Sequence, residues 1–439
     1  MVANSSPSLR LVFRDQRVSK PALDPEQSQV VSHRGSPLLI TGETGNGKTT
    51  ALVEAVISRI EAGRDPNSIL ILTFGRERAS ELRDAIVTRT SQTANDPLAR
   101  TFHALAYSIL KMESGDSYRE TILLSGAEQE SFIADLLSGD IEDGYREWPE
   151  DLQPSEKSVG APLQTQGFVR ELRDLMMRAN ERGLTPDDLE KRGKELNEKY
   201  WPAAAAFWRR YQGAQAMQEI AASDSKMRID PSEIIGAAIA HLKSHPNLAT
   251  KLRERFTTIA VDEYQESDPA QRELLQLLAG SDLLIVADEK SAVGRFRGAD
   301  PEGVKALVNR FTESGWPIIE LKTNHRGTPT AKAHCFSSGA QEAQFIAYQI
   351  KRAHLMQSIP YSEMAVIVRS QSVASAQIRR ALGQANVPVA GDAQALAQNL
   401  TIAPFLLLAR VATGQQPLNL DTCERLLTSP FGGATPISL

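Results

Sequence analysis

The sequence predicts an α/β fold, in which a parallel β-sheet carries a helical insertion and is followed by a partial second α/β domain. Three observations support this prediction. Continuous apolar runs alternate with helix-like segments, a glycine-rich turn joins the first run to a helix, and the middle of the chain has helical patterns alone. Fully apolar strands that alternate with helices are typical of parallel sheets buried on both faces.

Four runs have the length and composition of buried strands, and each precedes a helix-like segment: PLLITG (37–42), SILILTF (68–74), TIAVDEY (258–264) and DLLIVAD (282–288). Between about 111 and 230 no comparable strand appears, and charged patterns predict helices. We interpret this segment as an insertion into the sheet domain. The alternative is an independent helical domain between two α/β domains, which would leave the first strands without partners.

A second alternation of helix and strand starts near residue 330. The helical patterns at 342–355 and 373–386 alternate with the apolar runs MAVIVRS (364–370) and VPVAG (387–391). This order predicts a second α/β domain. The last 40 or so residues return to helical character and contain no closing strand.

Length and composition restrict the class of protein. The 439 residues are enough for about two to four domains. A net charge of −5 argues against coating of nucleic acid over the whole surface, but it is compatible with a local basic groove. The two cysteines match no metal or redox spacing, and neither a signal peptide nor an apolar run of roughly 20 residues is present. We therefore expect a cytoplasmic protein that does not enter membranes.

The segment GETGNGKT, residues 42–49, fits the pattern G-x-x-x-x-G-K-[ST] between a strand and a helix. Its glycines allow backbone N–H groups to face a phosphate, and the helix N-terminus adds a positive dipole. Lys48 should reach the β- and γ-phosphates, and the Thr49 hydroxyl should hold Mg²⁺. The alternative is a turn that binds nothing. The predicted ATP site comprises Gly42, Glu43, Thr44, Gly45, Asn46, Gly47, Lys48, Thr49 and Thr50.

An acidic pair follows the apolar run at 258–261. A phosphate-binding loop needs a carboxylate at the end of a neighbouring strand to complete the metal site, and Asp262 is placed to bind Mg²⁺. Glu263 is then the candidate for the group that orients and deprotonates the attacking water. The alternative is an exposed pair of acids without catalytic chemistry.

The order of these segments resembles that of superfamily 1 DNA helicases of the UvrD, Rep and PcrA type. LDPEQSQ (23–29) resembles the Q motif of this family, ILTF (71–74) and ARTFH (99–103) its two DNA-contacting segments, and KTNHR (322–326) its N-Y-R motif. Within the family, the combination of DEYQ, TFHALAYSIL and RAHLMQSIPYSEMAVIVRS is most similar to the A subunits of the actinobacterial AdnAB helicase–nucleases.

The resemblance implies an ATP-dependent DNA helicase with a RecA-like P-loop NTPase sheet. It implies DNA, single-stranded or with a duplex junction, as a partner, and a second helicase–nuclease subunit as another. The domains implied are 1A (residues 1–110 and 231–328), the helical insertion 1B (111–230), a partial RecA-like domain 2A (329–391) and the start of a helical domain 2B (392–439).

The resemblance also implies roles for single residues. Gln27 would read the adenine edge, and Gln265 would relay the nucleotide state to the DNA side. Arg326 is permanently charged and forked, and it would bind the γ-phosphate from the far side of the cleft. His325 stands where the family usually has tyrosine. Its ring would stack on adenine, although an isolated histidine is more often a polar loop residue.

The DNA-contacting segments imply a second set of residues. Aromatic rings in this set would stack on bases of single-stranded DNA, which contributes about 1–3 kcal/mol per base. Phe74 ends a strand, so burial in the core is its alternative role. The DNA-binding residues implied are Thr73, Phe74, Thr101, Phe102, His103 and Arg297.

The sequence departs from the family pattern in two motifs. The family motif G-D-x-D-Q-S-I-Y-x-F-R-G-A, aligned on FRGA (296–299), places Ser291 at the glutamine and Gly294 at the aromatic residue. Serine is too short to sense the γ-phosphate, and glycine cannot stack on a base. The segment TFGRER (73–78) also replaces the pattern T-F-T-N-K-A.

The later family motifs, including a second arginine of domain 2A and a nuclease segment, do not occur in the sequence. From this absence we expect the front part of a longer protein or a shortened relative. The leading interpretation is an ATP-dependent helicase module that does not unwind duplex DNA by itself. The alternative is a non-motor subunit that binds nucleotide and DNA within a helicase–nuclease complex.

Overall fold

The computed structural model describes residues 20–90, 97–112, 121–142, 144, 148–153, 162–221, 227–327, 331–369, 371–390, 399, 401–435 and 438. The chain divides into two compact units, of which the first ends at Pro329 and the second begins at Thr330.

The first unit is built on a parallel sheet. Its described strands are β1 (Leu38–Gly42), β2 (Ile69–Thr73), β3 (Ala99–Thr101), β4 (Thr121–Leu123), β5 (Met227–Ile229), β6 (Thr258–Val261), β7 (Asp282–Ala287) and β8 (Ile318–Leu321). Six of them form the main sheet in the order β3-β2-β6-β7-β1-β8, and all neighbouring pairs are parallel. The predicted α/β fold with a parallel sheet is confirmed.

Helices cover both faces of this sheet. The described helices of the first unit are α1 (Pro25–Ser32), α2 (Lys48–Glu61), α3 (Arg76–Val87), α4 (Phe102–Met112), α5 (Gly126–Glu142), α6 (Gln166–Glu181), α7 (Pro186–Glu195), α8 (Tyr200–Ala221), α9 (Ile234–Ser244), α10 (Pro246–Arg255), α11 (Pro269–Leu278) and α12 (Glu302–Glu313). Apolar residues of α1, α2 and α3 form the core on one face, and those of α4 and α9 to α12 form the core on the other.

The strand β2 shows why the apolar runs are continuous. Ile69 and Ile71 lie in one core, whereas Leu70 and Leu72 lie in the other. Successive side chains of a strand point to opposite faces, so a sheet covered on both faces needs apolar residues at every position. All five residues of this strand are buried.

Helices α5 to α8 form an insertion with its own core, which includes Trp148, Phe207 and Trp208. Strand β2 comes before this segment and β6 after it, and the two strands pair in parallel, so the segment lies between two neighbouring strands of one sheet. The structure differs from the prediction at the ends of the insertion, where β4 and β5 pair in parallel outside the main sheet. Strands of three residues are too short to show a period in the sequence.

The second unit contains the described helices α13 (Gly339–Gln357), α14 (Gln371–Gln384), α15 (Ala403–Ala412) and α16 (Leu420–Leu427). The prediction of strands at 364–370 and 387–391 is wrong, because the described residues of this unit include no β-strand. Both apolar runs still line one cavity between them. A strand requires backbone hydrogen bonds to a neighbour, which apolar composition by itself does not supply.

Among the described helices of both units, none combines the length and the hydropathy that a membrane span requires.

Candidate functional site

The glycine-rich loop connects the end of β1 to the start of α2. Gly45 and Gly47 have φ angles of 94° and 74°, in the left-handed region that glycine adopts without strain. A Cβ at Gly47 would lie 2.3 Å from Nε2 of Gln27. The loop therefore needs glycine at this position both for its backbone and for the close approach of Gln27.

The segment after β8 is fixed against this loop. The Asn46 side chain donates a hydrogen bond to the carbonyl oxygen of Leu321 at 2.6 Å. The backbone N–H of His325 donates to the carbonyl oxygen of Gly45 at 3.0 Å. These bonds hold the KTNHR segment beside the phosphate loop, although the two are almost 300 residues apart in the sequence.

A cleft of about 700 Å³ lies over the loop. The loop residues Gly42, Glu43 and Asn46 do not line it, and Arg78 and Ser291 are lining residues that the sequence did not predict as nucleotide contacts. The cleft brings together most of the predicted nucleotide, metal and catalytic residues: Gln27, Thr44, Gly45, Gly47, Lys48, Thr49, Thr50, Asp262, Glu263, Gln265, His325 and Arg326.

One end of the cleft is formed by Gln27 and His325. Gln27 is buried, and its side chain completes a capping box with Asp24 at the start of α1. Its Nε2 lies 3.3 Å from Nε2 of His325, which also lies 3.0 Å from a carboxylate oxygen of Asp24. The His325 side chain is 40% exposed and lines the cleft.

Lys48 is the last loop residue before Thr49 and the first residue of α2. Its ammonium group donates to the carbonyl oxygens of Gly42 and Glu43, at 2.8 and 3.0 Å. It also forms an ion pair of 2.9 Å with the buried carboxylate of Asp288, directly after β7. Asp288 was not among the predicted site residues, although it stands at the end of a predicted buried strand just as Asp262 does.

The acidic pair lies in a turn and not in a strand. Strand β6 ends at Val261, and Glu263 has left-handed backbone angles, φ 61° and ψ 43°, before the 3₁₀ turn Tyr264–Glu266. A non-glycine residue in this conformation costs roughly 1–3 kcal/mol and often marks a functional site. The turn directs both acids into one cleft.

Burial affects the protonation of both acids. Asp262 is fully buried, and this burial raises its pKa while the guanidinium of Arg78 opposes the rise. Burial also raises the pKa of Glu263, and the neighbouring charge of Asp262 raises it further. A carboxylate with a raised pKa is a stronger base than one in water, which suits a group that takes a proton from water.

The oxygens of Thr49 and Asp262 fit a magnesium ion. The Thr49 hydroxyl lies 3.2 and 3.3 Å from the two carboxylate oxygens, and octahedral Mg²⁺ places neighbouring ligand oxygens about 2.9 Å apart. Within the described residues no cluster of three or more acidic, histidine or cysteine side chains could hold a metal by itself. The remaining ligands would therefore come from phosphate oxygens and water, as is usual for Mg²⁺.

A second cavity, of about 310 Å³, lies beside the predicted DNA-contacting segments. His103 is exposed at its mouth, and Phe74 is half-buried against the core. Thr73 is fully buried, and its hydroxyl has no hydrogen-bond partner among the described residues. An unpartnered buried hydroxyl facing a cavity is compatible with a water or ligand there. The described lining residues are Thr73, Phe74, Phe102, His103, Arg178, Glu181, Glu266, Asp268, Gln271, Val293 and Gly294.

Two predicted DNA contacts, Phe102 and Thr101, have partners within the protein. The expectation that Phe102 stacks on a DNA base is corrected, because Phe102 is 1% exposed and its ring stacks on Phe74 with 5.2 Å between ring centroids. Phe102 is therefore a core residue. The Thr101 hydroxyl accepts from the backbone N–H of Ala104 in the first turn of α4. The side chain of Arg297 lies outside the described residues.

Comparison with known proteins decides the family. Residues 23–312 match the family model described as the UvrD/REP helicase N-terminal domain. The chain belongs to this family. The match confirms the resemblance to the UvrD, Rep and PcrA type, and it covers strands β1 to β7 and the helical insertion.

Curated relatives carry helicase names. The chain is 24% identical to the ATP-dependent DNA helicase UvrD1 of Mycobacterium tuberculosis (strain H37Rv), over 83% of this chain and 49% of the relative. It is 26% identical to DNA helicase II of Escherichia coli (strain K12), over 70% and 39%, and 24% identical to the ATP-dependent DNA helicase PcrA of Staphylococcus epidermidis (strain RP62A), over 95% and 57%. The chain spans about half the length of the curated relatives it matches.

The departure from the UvrD-type motif at 291–294 has a structural counterpart. The backbone N–H groups of Val293 and Gly294 donate to the carboxylate of Glu266, at 2.7 and 2.8 Å. A Cβ at residue 294 would lie 2.2 Å from that carboxylate. Gly294 therefore permits the contact with Glu266, a partner that the motif alignment did not predict.

The cavity beside the DNA-contacting segments is acidic. Burial raises the pKa of Glu181 to about 7, although the nearby Arg178, with which it forms an ion pair, opposes this rise. Burial also raises the pKa of Asp268 to about 6. Carboxylates repel the phosphate backbone, so this cavity suits a neutral or donor-rich group such as a base better than a phosphate.

The raised pKa of Glu181 predicts a pH-dependent stability. The folded protein favours the protonated carboxyl, so the stability contribution of this group falls as pH rises from about 4.5 towards about 7. We compare the free energy of unfolding of Glu181→Gln with that of the unaltered chain. The difference between them should change by about 2 kcal/mol in favour of the variant when the pH is raised from about 5 to about 8. Urea unfolding followed by tryptophan fluorescence checks this, since Trp148, Trp201 and Trp208 lie in the insertion.

Glu171→Gln is the matched control, because Glu171 is exposed on the same helix, α6. Its stability relative to the unaltered chain should not change with pH. A difference for Glu181→Gln that is the same at both pH values would contradict the predicted protonation of Glu181.

Proposed function

We propose that this chain is the ATP-binding part of a UvrD-type DNA helicase or translocase that acts in DNA repair or recombination. One observation carries the proposal. A single cleft collects the phosphate loop, the acidic pair, Gln27 and Arg326 from four separate parts of the first unit. The family membership of residues 23–312 and the helicase names of the relatives support it.

The family arrangement assigns domains to the chain. We assign residues 1–110 and 231–328 to domain 1A, 111–230 to domain 1B, 329–391 to a partial domain 2A and 392–439 to the start of domain 2B. The motifs DEYQ and TFHALAYSIL support a finer assignment to the A subunits of AdnAB helicase–nucleases, and with it a second subunit as partner.

The chemistry proposed for the cleft follows from its residues. Lys48 exchanges its ion pair with Asp288 for the β- and γ-phosphates of ATP, and Arg326 binds the γ-phosphate. Thr49 and Asp262 hold Mg²⁺, which neutralises charge on the phosphates. Glu263 orients the attacking water and accepts its proton. Gln27 reads the adenine edge, and His325 stacks on the ring.

Gln265 offers a route from the nucleotide to DNA. Its side-chain oxygen accepts from the backbone N–H of Asp288 at 3.0 Å, and its amide donates to the Ser291 hydroxyl at 3.1 Å. The next residue, Glu266, lines both cavities and holds the backbone of Val293 and Gly294. A change at the phosphates can thus reach the pocket of Thr73, Phe74 and His103 through this turn.

A second candidate function is a non-motor subunit that binds nucleotide and DNA for a partner. The observation that favours it is the short reach of Ser291, whose hydroxyl contacts Gln265 and the carbonyl oxygen of Asp288. Gly294 has no aromatic ring on which a DNA base could stack. In such a subunit the nucleotide-binding residues are in place, whereas the coupling between the nucleotide cleft and bound DNA is weak.

Measurement of ATP hydrolysis with and without single-stranded DNA distinguishes these functions. A motor module should hydrolyse ATP, and DNA should stimulate the rate. ATP binding without hydrolysis, alone and with DNA, would favour the non-motor subunit. Absence of ATP binding would refute both functions.

We predict that the chain alone does not unwind duplex DNA. Each base pair costs on the order of 1.4 kcal/mol of stacking, so unwinding requires that ATP turnover be converted into directed steps. Ser291 and Gly294 lack the groups that the family uses for this conversion. A strand-displacement assay tests the prediction, and ATP-dependent unwinding above that of a Lys48→Ala variant would contradict it.

A further inference from the structure

Arg78 reaches from the first turn of α3 into the nucleotide cleft. Its Nη2 donates to the Thr49 hydroxyl at 2.7 Å, and its Nε donates to a carboxylate oxygen of Asp262 at 3.1 Å. The third guanidinium nitrogen, Nη1, lies 3.0 Å from the carboxylate of Glu81. The guanidinium therefore contacts the same two oxygen groups that fit Mg²⁺.

The contacts with Arg78 are electrostatically strong. Asp262 is fully buried, and a buried carboxylate is costly unless a cation or hydrogen-bond donors accompany it. The Arg78 side chain is 31% exposed, so it has a path out of the cleft towards solvent. Glu81, which is 65% exposed, gives the guanidinium a carboxylate partner on the same helix at the rim.

A guanidinium and Mg²⁺ cannot both serve this pair of oxygens. Arginine remains charged at every relevant pH, so two cations next to one carboxylate would repel each other. Mg²⁺ also requires ligand oxygens at 2.0–2.1 Å, and Nη2 already occupies the side of the Thr49 hydroxyl that faces Asp262. Entry of the metal therefore requires departure of the guanidinium.

We propose that Arg78 is a resident cation of the nucleotide site, which holds Thr49 and Asp262 in the metal-free state and leaves them when Mg²⁺ enters with the nucleotide. Arg78 is thus a positioning residue that sets the Mg²⁺ concentration at which ATP binds tightly. This inference rests on the proposed binding of ATP and Mg²⁺ in the same cleft. In the sequence, Arg78 is marked by the departure of TFGRER from the family pattern T-F-T-N-K-A, which has alanine where this chain has Arg78.

The test measures binding of a fluorescent ATP analogue to the full chain while Mg²⁺ is varied, without DNA. Removal of two charge-assisted hydrogen bonds should favour the metal by about 10- to 100-fold. We therefore expect Arg78→Ala to lower the Mg²⁺ concentration at half-maximal binding by that factor. Arg78→Gln, which keeps an uncharged hydrogen-bond donor on a shorter side chain, should lower it as well.

Arg76→Ala is the matched control, because Arg76 is an exposed arginine in the same turn of α3 and lies outside the cleft lining. Its Mg²⁺ midpoint should equal that of the unaltered chain. Thermal unfolding without nucleotide shows which variants are folded, and the glutamine variant serves if the alanine variant is not.

The outcomes separate the roles of Arg78. An unchanged Mg²⁺ midpoint in a folded Arg78 variant would overturn the inference and leave a structural role. Weaker nucleotide binding at every Mg²⁺ concentration, with the midpoint unmoved, would also overturn it, because Arg78 would then bind phosphate. If the unaltered chain bound no nucleotide at any Mg²⁺ concentration, the proposed function itself would fail, and the inference with it.

Discussion

Lys48→Ala should weaken ATP binding by about 10- to 100-fold, because it removes charge-assisted hydrogen bonds to the phosphates. The structure adds a second cause. Without the ammonium group, the buried carboxylate of Asp288 would face the phosphates with no partner from the loop. Repulsion between this carboxylate and ATP should enlarge the loss. Calorimetric titration with ATP and Mg²⁺ measures it.

Two further variants define the cause of this loss. Lys290→Ala is the matched control, because Lys290 is 83% exposed and pairs with Glu43 of the same loop. It should bind ATP as the unaltered chain does. Adding Asp288→Asn to Lys48→Ala should restore part of the affinity by removing the uncompensated charge. Full affinity in the single Lys48→Ala variant would exclude this cleft as the ATP site.

Glu263→Gln should reduce ATP hydrolysis by about 10²- to 10⁴-fold while ATP binding remains. The amide keeps the shape of the side chain in its left-handed turn, so the backbone at φ 61° has no reason to change. It cannot accept the proton of the attacking water. Single-turnover hydrolysis and equilibrium binding, measured on the same preparation, separate the two effects.

Glu61→Gln makes the same chemical change at an exposed position at the end of α2, away from the cleft, and should hydrolyse ATP at the original rate. The catalytic role would belong to another residue if Glu263→Gln hydrolysed ATP as fast as this control. Loss of both binding and hydrolysis would instead show that Glu263 supports the structure of the turn.

Much of the sheet and the loop could be predicted because local rules determine them. The run ILIL (69–72) is apolar at every position, so a strand made from it must be buried on both faces. The pattern around Lys48 requires glycines with positive φ between a strand and a helix, and the structure has them at Gly45 and Gly47. The relevant interactions lie within about ten residues of chain.

Predictions of single contacts were less successful where the partner is distant in the chain. Phe102 is aromatic and follows a strand, which made it a candidate for base stacking, yet helix packing places its ring in the core against Phe74. The apolar runs at 364–370 and 387–391 have strand composition, but no β-strand pairs with their described residues. Composition indicates burial and does not specify the neighbour.

The sequence by itself determined the fold class, the phosphate loop and the acid that follows β6, because each depends on residue types in a short segment. Only the tertiary structure decided which charges meet. Lys48 pairs with Asp288, 240 residues away, and Arg78 with Asp262, 184 residues away. A charged side chain shows no preference for one opposite charge over another along the chain, so its partner is set by which strand ends the parallel sheet brings to the same edge.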